Sequence, residues 1–306
     1  MTDSTTTGAT ASSAPGAGAA GASRTGVLYS LLRNRLAVCA LVFLVLAAAA
    51  AVFAPLIVPH DPAHQDLLVR LRPPAWQSGG SAEHLLGTDQ LGRDLLARVL
   101  YGTRVSLLVG AGAALLAGLV GTVVGLSSGY LGGWLDRVLM RLADVQLAFP
   151  AILLALAIVG FLGSGLWYVI LVLGFTGWVA YARVVRSEVL SLRTRDFVTE
   201  ARAIGVTDAT IMRRHLLPNV LAPLATIGTL HVATAIVAEA SLSYLGLGVP
   251  KETVTWGGML SDGQLYLGTA WWVAVFPGVA LMLTSLAINI TGDALRDVAD
   301  PKAYRR

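Results

Sequence analysis

The chain has 306 residues, of which 55% are hydrophobic and 13% are charged, and its formal net charge at pH 7 is +4. Soluble domains carry about 25% charged residues, so this composition excludes an ordinary soluble enzyme and indicates a helical protein that crosses a membrane several times. The basic residues lie beside apolar segments rather than in one patch. This distribution favours a topological role for them, and no nucleic-acid partner is expected.

Residues 1–26 are mostly Ala, Gly, Ser and Thr. Such a segment cannot bury enough apolar surface to offset the entropy of ordering it, so we expect a disordered tail. Residues 27–104 follow as an N-terminal region that holds the first apolar run and a long connecting segment. The sole cysteine, Cys39, lies in that run, where we expect a buried, inert thiol.

Six apolar runs approach or exceed the roughly 20 residues that cross a bilayer as a helix. They are Leu36–Val58, Val105–Leu126, Val145–Gly163, Leu166–Ala182, Leu221–Leu245 and Ala270–Ile290. Across all six runs there is one histidine, His231, and one charged residue, Glu239, and both lie in the fifth run. A soluble core helix would show a polar stripe, so the sequence predicts an all-α membrane protein with six transmembrane helices.

The segment between the first two runs contains the string GTDQLGRDLLARVLYG. Its apolar residues share one helical face: Leu91, Leu95, Leu96, Val99 and Leu100. This pattern predicts a helix along the outer membrane interface, the alternative being an extension of the second run that begins outside the lipid. His60, Asp61 and His64 lie in a proline-broken part of the segment without a matching cluster of ligands, so no metal site is expected.

Two further patterns predict packing and anchoring. Gly121, Gly125 and Gly129 repeat every four residues at and just beyond the end of the second run, and such a strip of small residues lets a neighbouring helix approach closely. Trp256, between the fifth and sixth runs, and the pair Trp271–Trp272 at the start of the sixth run predict an aromatic belt at the membrane surface.

Between the fourth and fifth runs lies a charged, helix-forming island, Arg195–Pro223, which we call the polar loop. Asp196 can cap a first helix, and Gly205 can end it in the left-handed conformation that glycine tolerates. A second helix, Ala209–Leu217, is expected to follow. The pattern is compatible with a docking element for a soluble partner, with a DNA-binding helix-turn-helix or with a solvated loop, although embedding both ends in a membrane argues against DNA binding.

The distribution of lysine and arginine predicts the orientation of the chain. If the N-terminus is inside, 16 of the 22 basic residues fall in the inner segments, as the positive-inside rule requires. We therefore expect a multi-pass protein of the cell membrane with both termini and the polar loop in the cytoplasm. Residues 296–306 would form a cytoplasmic C-terminal tail.

The polar loop resembles a loop of the inner-membrane permeases of ATP-binding-cassette (ABC) importers. In that family the loop reads Glu-Ala-Ala, three residues, Gly, nine residues, Ile, one residue and Leu-Pro. Counted from Gly205, this chain carries Thr199-Glu200-Ala201, and His215 and Leu217-Pro218 follow at the family's spacing. The acidic residue is thus displaced by one position, and a histidine replaces the isoleucine.

The resemblance extends over nearly the whole chain, from about Arg33 to Pro301. The strings that carry it are LLGTDQLGRDLLARVLYGTRVSLLVG, RHLLPNVLAPL, EASLSYLGLGVP, WGGML, AWWVAVFPG and NITGDALRDVADP. They are similar to the oligopeptide/dipeptide/nickel permease group and, within it, to the C-type subunit.

The resemblance implies a permease domain at residues 105–295 with the fold of type I ABC importers, in which residues 195–223 act as a coupling loop. Phe197, Ala201 and Ile204 would be docking contacts for an ATPase subunit. The loop's arginines would be rim charges: Arg202, Arg213 and Arg214.

The resemblance also implies partners, namely a homologous permease, two ABC ATPase subunits that bind ATP and Mg, and an extracytoplasmic substrate-binding protein. The chain itself lacks a P-loop, because Lys251 and Lys302 both follow a proline, so we expect a transport subunit that binds no cofactor rather than an enzyme. The implied cargo is di- or oligopeptides, with nickel or another chelated solute as the alternative within the group. A stand-alone channel, a secondary transporter and a membrane-bound enzyme are alternatives from other classes.

Five polar residues outside the loop are candidates for functional roles. Glu239 either lines the translocation path, pairs with the partner permease or lies in water near the outer surface. His231 either faces the same path or is a hydrogen-bonded packing residue. Asp89, Arg93 and Asp94 either contact the substrate-binding protein or form a local salt-bridged turn.

Overall fold

The computed structural model describes residues 34–58 and 60–299. The predicted tail at residues 1–26 lies outside them, as do residues 300–306 of the predicted C-terminal tail. Ten α-helices follow one another in the described part: α1 Arg35–Ile57, α2 Leu95–Leu131, α3 Gly133–Leu147, α4 Ala151–Leu162, α5 Leu166–Leu192, α6 Asp196–Ala203, α7 Asp208–Thr210, α8 Leu217–Tyr244, α9 Trp256–Gly263 and α10 Trp272–Ala299. Short 3₁₀ turns lie at Leu67–Val69 and Gln264–Tyr266, and a π-helical turn, Ile211–Leu216, joins α7 to α8.

Five helical segments in the described residues are long and apolar enough to cross a membrane. They are α1, α2, α5, the continuous stretch Asp208–Tyr244, and α10. The predicted third run, Val145–Gly163, is not one helix, because α3 and α4 meet at an angle of 89°. Pro150 explains the break, since it lacks an N–H group and disfavours helical geometry in the residue before it.

The apolar residues from Leu95 onward belong to α2 and not to a separate interfacial helix, whereas Leu91 lies in the turn before it. The side chain of Asp94 accepts a hydrogen bond from the backbone N–H of Ala97 (2.8 Å) and so caps the first turn. The helix then continues without interruption to Leu131. The interfacial prediction was therefore wrong, and the alternative, an extension of the second run, is what the structure contains.

Helices α2 and α5 pack together more extensively than any other pair in the described residues. A Cβ atom on Gly125 would lie 2.6 Å from the carbonyl oxygen of Ala182, and one on Gly129 would lie 2.9 Å from the Cβ of Val189. Real Cβ atoms do not approach other atoms so closely, which means that only glycine permits this spacing. The prediction that the glycine strip marks a close helix contact is confirmed.

Helix α1 lies at the periphery and leaves most of its apolar side chains exposed, including Leu56 at 83%. Cys39 is also exposed on this helix, so the prediction of a buried thiol was wrong: it faces outward from the helix bundle. Pro55 interrupts the hydrogen bonding of α1. The side chain of Arg104 in α2 compensates by donating from Nε (3.2 Å) and Nη2 (3.0 Å) to the carbonyl oxygen of Ala51.

The tryptophans of the predicted aromatic belt divide between surface and interior. Trp256 is 1% exposed and Trp272 is 6% exposed, whereas Trp271 is 36% exposed. The indole N–H groups of the two buried rings donate to the carbonyl oxygens of Val99 (3.1 Å) and Thr88 (3.2 Å). For Trp256 and Trp272 the belt prediction was wrong, because each indole N–H has a backbone acceptor inside the chain.

Candidate functional site

The first helix of the polar loop, α6, ends at Gly205 as the sequence predicts. Gly205 has a φ of 81°, and its N–H group bonds to the carbonyl of Arg202 while that of Val206 bonds to Ala201 (both 3.0 Å). This pair of hydrogen bonds is a Schellman motif, in which the left-handed residue reverses the chain. The predicted cap was wrong, because Arg195 occupies the N-cap position and Asp196 is the first helical residue.

The second helix of the loop does not end at Leu217 as predicted. It begins at Asp208, widens into the π-helical turn and continues directly into α8. The N–H group of Leu217 bonds to the carbonyl of Met212, five residues earlier. Since Pro218 offers no N–H group, the wider turn absorbs the change of register that the proline requires. One helical path therefore connects the polar loop to a membrane-spanning segment.

The inner face of the polar loop packs against the chain's own helices. Val198, Ile211, Leu216 and Val220 of the loop join Val185 and Val189 of α5 in one buried cluster. Ala201 is 5% exposed and belongs to the same cluster. It therefore packs the loop onto the helices and is not on its outer face.

The outer face of the loop carries the other predicted contact residues. Ile204 is 80% exposed and Phe197 is 37% exposed. Thr199 and Glu200 are also exposed, as is Pro218, whereas His215 and Leu217 are half-buried. The rings of Phe197 and His215 lie 6.4 Å apart. The loop thus presents an apolar tip at Ile204 on a base that is fixed to the chain.

A tyrosine that the sequence analysis did not single out connects both helices of the loop to α2. The hydroxyl group of Tyr130 donates to Asp208 Oδ1 (2.6 Å) and accepts from Arg202 Nε (3.1 Å). The guanidinium group of Arg202 also lies 4.7 Å from the centre of the tyrosine ring. Arg202 is exposed and also engaged within the chain, and its role as a rim charge stays a prediction. We call Tyr130, Arg202 and Asp208 the tyrosine clasp.

Ion pairs join the helix ends next to the loop. Arg186 of α5 donates to both carboxylate oxygens of Asp136 in α3 (2.6 and 2.7 Å), and Ser128 of α2 donates to the same carboxylate. Arg193 donates to the carbonyl oxygen of Gly129 (3.1 Å). These arginines belong to the basic excess counted in the sequence, and here they hold α2, α3 and α5 together.

Glu239 and His231 lie on α8 but in different surroundings. Glu239 is fully buried, and its carboxyl group accepts a hydrogen bond from Ser243 Oγ (2.7 Å). Of the three alternatives, a position in open water is therefore excluded. His231 packs edge-on against Tyr181, with ring centres 5.3 Å apart, and lines a cavity of about 230 Å³ between α4, α5 and α8. Glu239 does not line that cavity.

The predicted cluster of Asp89, Arg93 and Asp94 lies at the opposite end of α2 from the clasp. Asp89 accepts from Arg93 Nε (2.6 Å) and from the backbone N–H groups of Leu91 and Arg93. Asp94 caps α2 and lies 3.0 Å from Nδ1 of His84. These contacts form the local salt-bridged turn, and contact with a binding protein stays a prediction.

The same cluster contains two residues that the sequence analysis missed. Arg98 of α2 lies 3.5 Å from Asp89, and Asp262 of α9 lies 3.3 Å from Arg93. Together they border a cavity of about 660 Å³ that is also lined by the segment after α8. Asp262 is 169 residues from Arg93 in the sequence, so no local pattern could have paired them.

Two family comparisons match separate parts of the chain. Residues 121–305, more than half of its length, match the sequence model described as "Binding-protein-dependent transport system inner membrane component". Residues 26–74 match the "N-terminal TM domain of oligopeptide transport permease C".

Curated relatives align over most of both chains. The di/tripeptide transport system permease protein DppC of Pseudomonas aeruginosa (strain UCBPP-PA14) is 42% identical over 273 residues, which cover 89% of this chain and 90% of that protein. The dipeptide transport system permease protein DppC of Alkalihalophilus pseudofirmus is 42% identical over 89% of this chain and 88% of its own length. The glutathione transport system permease protein GsiD of Pectobacterium atrosepticum is 40% identical over the same shares.

A solved structure supports the fold. The chain is similar to one from the inward-facing MetNI methionine ABC transporter, with a TM-score of 0.51 and 24% identity over 66% of this chain and 96% of that one. At this identity the likeness concerns the fold alone. Together with the family match and the relatives, it leads to one conclusion: the chain belongs to the family of inner-membrane components of binding-protein-dependent transport systems, and it is a transport subunit rather than an enzyme.

Proposed function

We propose that this chain is the permease subunit of an ATP-driven importer and forms half of the translocation path for di- or oligopeptides. The names of its relatives, which specify di/tripeptides, dipeptides and glutathione, support the peptide class. A homologous permease would supply the other half of the path, and an extracytoplasmic binding protein would deliver the cargo. Both termini and the polar loop would lie in the cytoplasm, as the excess of arginine on that side favours.

The single observation that supports a coupling role is that the polar loop combines an exposed apolar tip with a buried base. Ile204 and Phe197 present an apolar tip, while the base of the loop packs into the chain's own buried cluster. A short helix with such a tip can be seated in a groove of a partner. Two ABC ATPase subunits, which would bind ATP and Mg themselves, are the partners proposed here.

The continuity of the loop with α8 explains how movement would be transmitted. Asp208–Tyr244 forms one helical path without a flexible linker. Displacement of the loop by ATP-driven closure of the ATPase subunits would therefore displace a membrane-spanning helix as a rigid element. The cavity beside His231 lies along that helix, so we retain His231 as a candidate for lining the path.

Substitution of Ile204 tests the docking role. Ile204→Asp places a charge at an apolar tip without affecting the buried face of α6, and Ile204→Leu is the matched control. We expect the Asp variant to insert into the membrane normally but to lose the co-purifying ATPase subunits and ATP-dependent peptide uptake, while the Leu variant keeps both. Full retention of the ATPase subunits by Ile204→Asp would rule out docking at this tip.

A further inference from the structure

The tyrosine clasp joins three helix ends through one oxygen atom. Arg202 lies in the last turn of α6, Asp208 opens α7, and Tyr130 lies in the last turn of α2. The Tyr130 hydroxyl group bonds to both of the others, as donor to Asp208 and as acceptor from Arg202. A hydroxyl group can do both at once, whereas the phenyl ring of phenylalanine can do neither.

The clasp bridges the one break in the polar loop. Helices α6 and α7 are separated by residues 204–207, a bend that turns at Gly205. If only the backbone joined them, the angle between the two helices would depend on the conformation of that bend. Because Tyr130 is 3% exposed and packs in the cluster with Val185, Val189 and Val198, its ring is held in place. Its hydroxyl group thus fixes both helices relative to a rigid core.

The helix that carries Tyr130 also reaches the opposite end of the molecule. Helix α2 has 37 residues, which corresponds to a length of about 55 Å. Asp94 caps its first turn, and Arg98 pairs with Asp89 and borders the cavity of about 660 Å³. A displacement of the loop that reaches Tyr130 would therefore be carried along α2 to this cluster.

We propose that Tyr130 is a positioning residue for energy coupling, which makes the two helices of the polar loop and the end of α2 move as one body. This inference rests on the proposed function, since it concerns how a docked loop acts on the membrane helices. Because Tyr130 is 3% exposed, it offers little surface to an ATPase subunit. Its loss should therefore leave docking intact and weaken the link between ATP hydrolysis and transport.

The test uses the complete transporter with its partner permease, ATPase subunits and binding protein, reconstituted in proteoliposomes. Tyr130→Phe removes one oxygen atom, and Asp208→Ala removes its charged acceptor. The measured quantity is peptide taken up per ATP hydrolysed, together with the amount of ATPase subunit that co-purifies. Tyr168→Phe is the control, because Tyr168 is 43% exposed and its hydroxyl group has no hydrogen-bond partner among the described contacts.

We expect both clasp variants to retain the ATPase subunits and to transport several-fold less peptide per ATP, because the loop and α2 are then no longer joined by a hydrogen bond to a charged group. The control should keep the wild-type ratio. An unchanged ratio in both clasp variants would overturn the inference, and so would a parallel fall in co-purification and uptake, which indicates a merely structural role. Failure of the proposed function differs from these outcomes, because the wild-type complex would then show no ATP-driven uptake.

Discussion

Arg104 donates two hydrogen bonds to the carbonyl oxygen of Ala51 in α1. This carbonyl lacks its helical donor because the residue four positions later is Pro55, which has no N–H group. In an apolar surrounding a free backbone carbonyl is costly, so a proline in a membrane helix requires a substitute donor. The guanidinium group of Arg104 in α2 is this substitute donor. One contact therefore explains how α1 tolerates a proline and why α2 carries an arginine at this position.

We expect Arg104→Met to lower the free energy of unfolding by about 1 to 2 kcal/mol, because the carbonyl of Ala51 loses a charged donor. In a Pro55→Ala background the same substitution should cost much less, since the alanine N–H group restores the helical hydrogen bond. Chemical denaturation of the four proteins in detergent measures this coupling. Equal effects of Arg104→Met in both backgrounds would contradict the explanation.

Two glycines of α2 should respond oppositely to the same substitution. Gly125→Ala places a Cβ 2.6 Å from the carbonyl oxygen of Ala182 in α5 and should destabilise the protein by about 1 to 3 kcal/mol through overpacking. In Gly118→Ala the new Cβ meets Tyr181 at 3.4 Å, an ordinary contact, so the gain of about 0.5 to 1 kcal/mol in helix stability should prevail. Thermal unfolding of the two variants, compared with the wild type, measures both changes in stability.

At Gly205 we expect asparagine to be tolerated, alanine to be destabilising and proline to be incompatible with function. It has a φ of 81° with open space beside it, so Gly205→Ala costs about 1 to 2 kcal/mol for the left-handed conformation alone. Gly205→Pro also removes the N–H group that bonds to Arg202. We expect normal membrane insertion but abolished ATP-dependent uptake for the proline variant. Unaffected uptake would show the coupling assignment to be wrong.

We expect Ser243 to stabilise the protein, because its hydroxyl group donates a hydrogen bond to the buried carboxyl group of Glu239. Ser243→Ala leaves that group without this donor and should lower the free energy of unfolding by about 1 to 3 kcal/mol. Ser241→Ala is the control, since Ser241 donates to the carbonyl of Val237 within its own helix and its loss should change stability little. If both variants unfold like the wild type, Glu239 has another partner.

The sequence predicted those parts of the fold that depend on composition and local spacing. Apolar runs identify spans because lipid excludes charge, and the turn at Gly205 follows from the one residue that tolerates its conformation. The π-helical turn before Pro218 was missed, because a proline indicates a perturbed helix without specifying whether the helix ends or widens. The bend at Pro150 was missed as well, although a proline within an apolar run was its visible signal.

The candidate site was predictable only in part, for a different reason. The exposed tip at Ile204 follows from a local motif, but the tyrosine clasp joins Tyr130 to residues 72 and 78 positions later. No periodicity connects such distant positions. Burial of Ala201 likewise depends on α5 lying beneath the loop, which the spacing of the motif does not specify.

The 12 residues of α4 measure about 18 Å along the helix axis, whereas the hydrocarbon core of a bilayer is about 30 Å thick. A helix of this length is typical of buried or re-entrant elements rather than of spans. The sharp turn at Pro150 thus divides an apolar run of spanning length between two helices that meet at 89°, so that α4 does not cross the hydrocarbon core by itself.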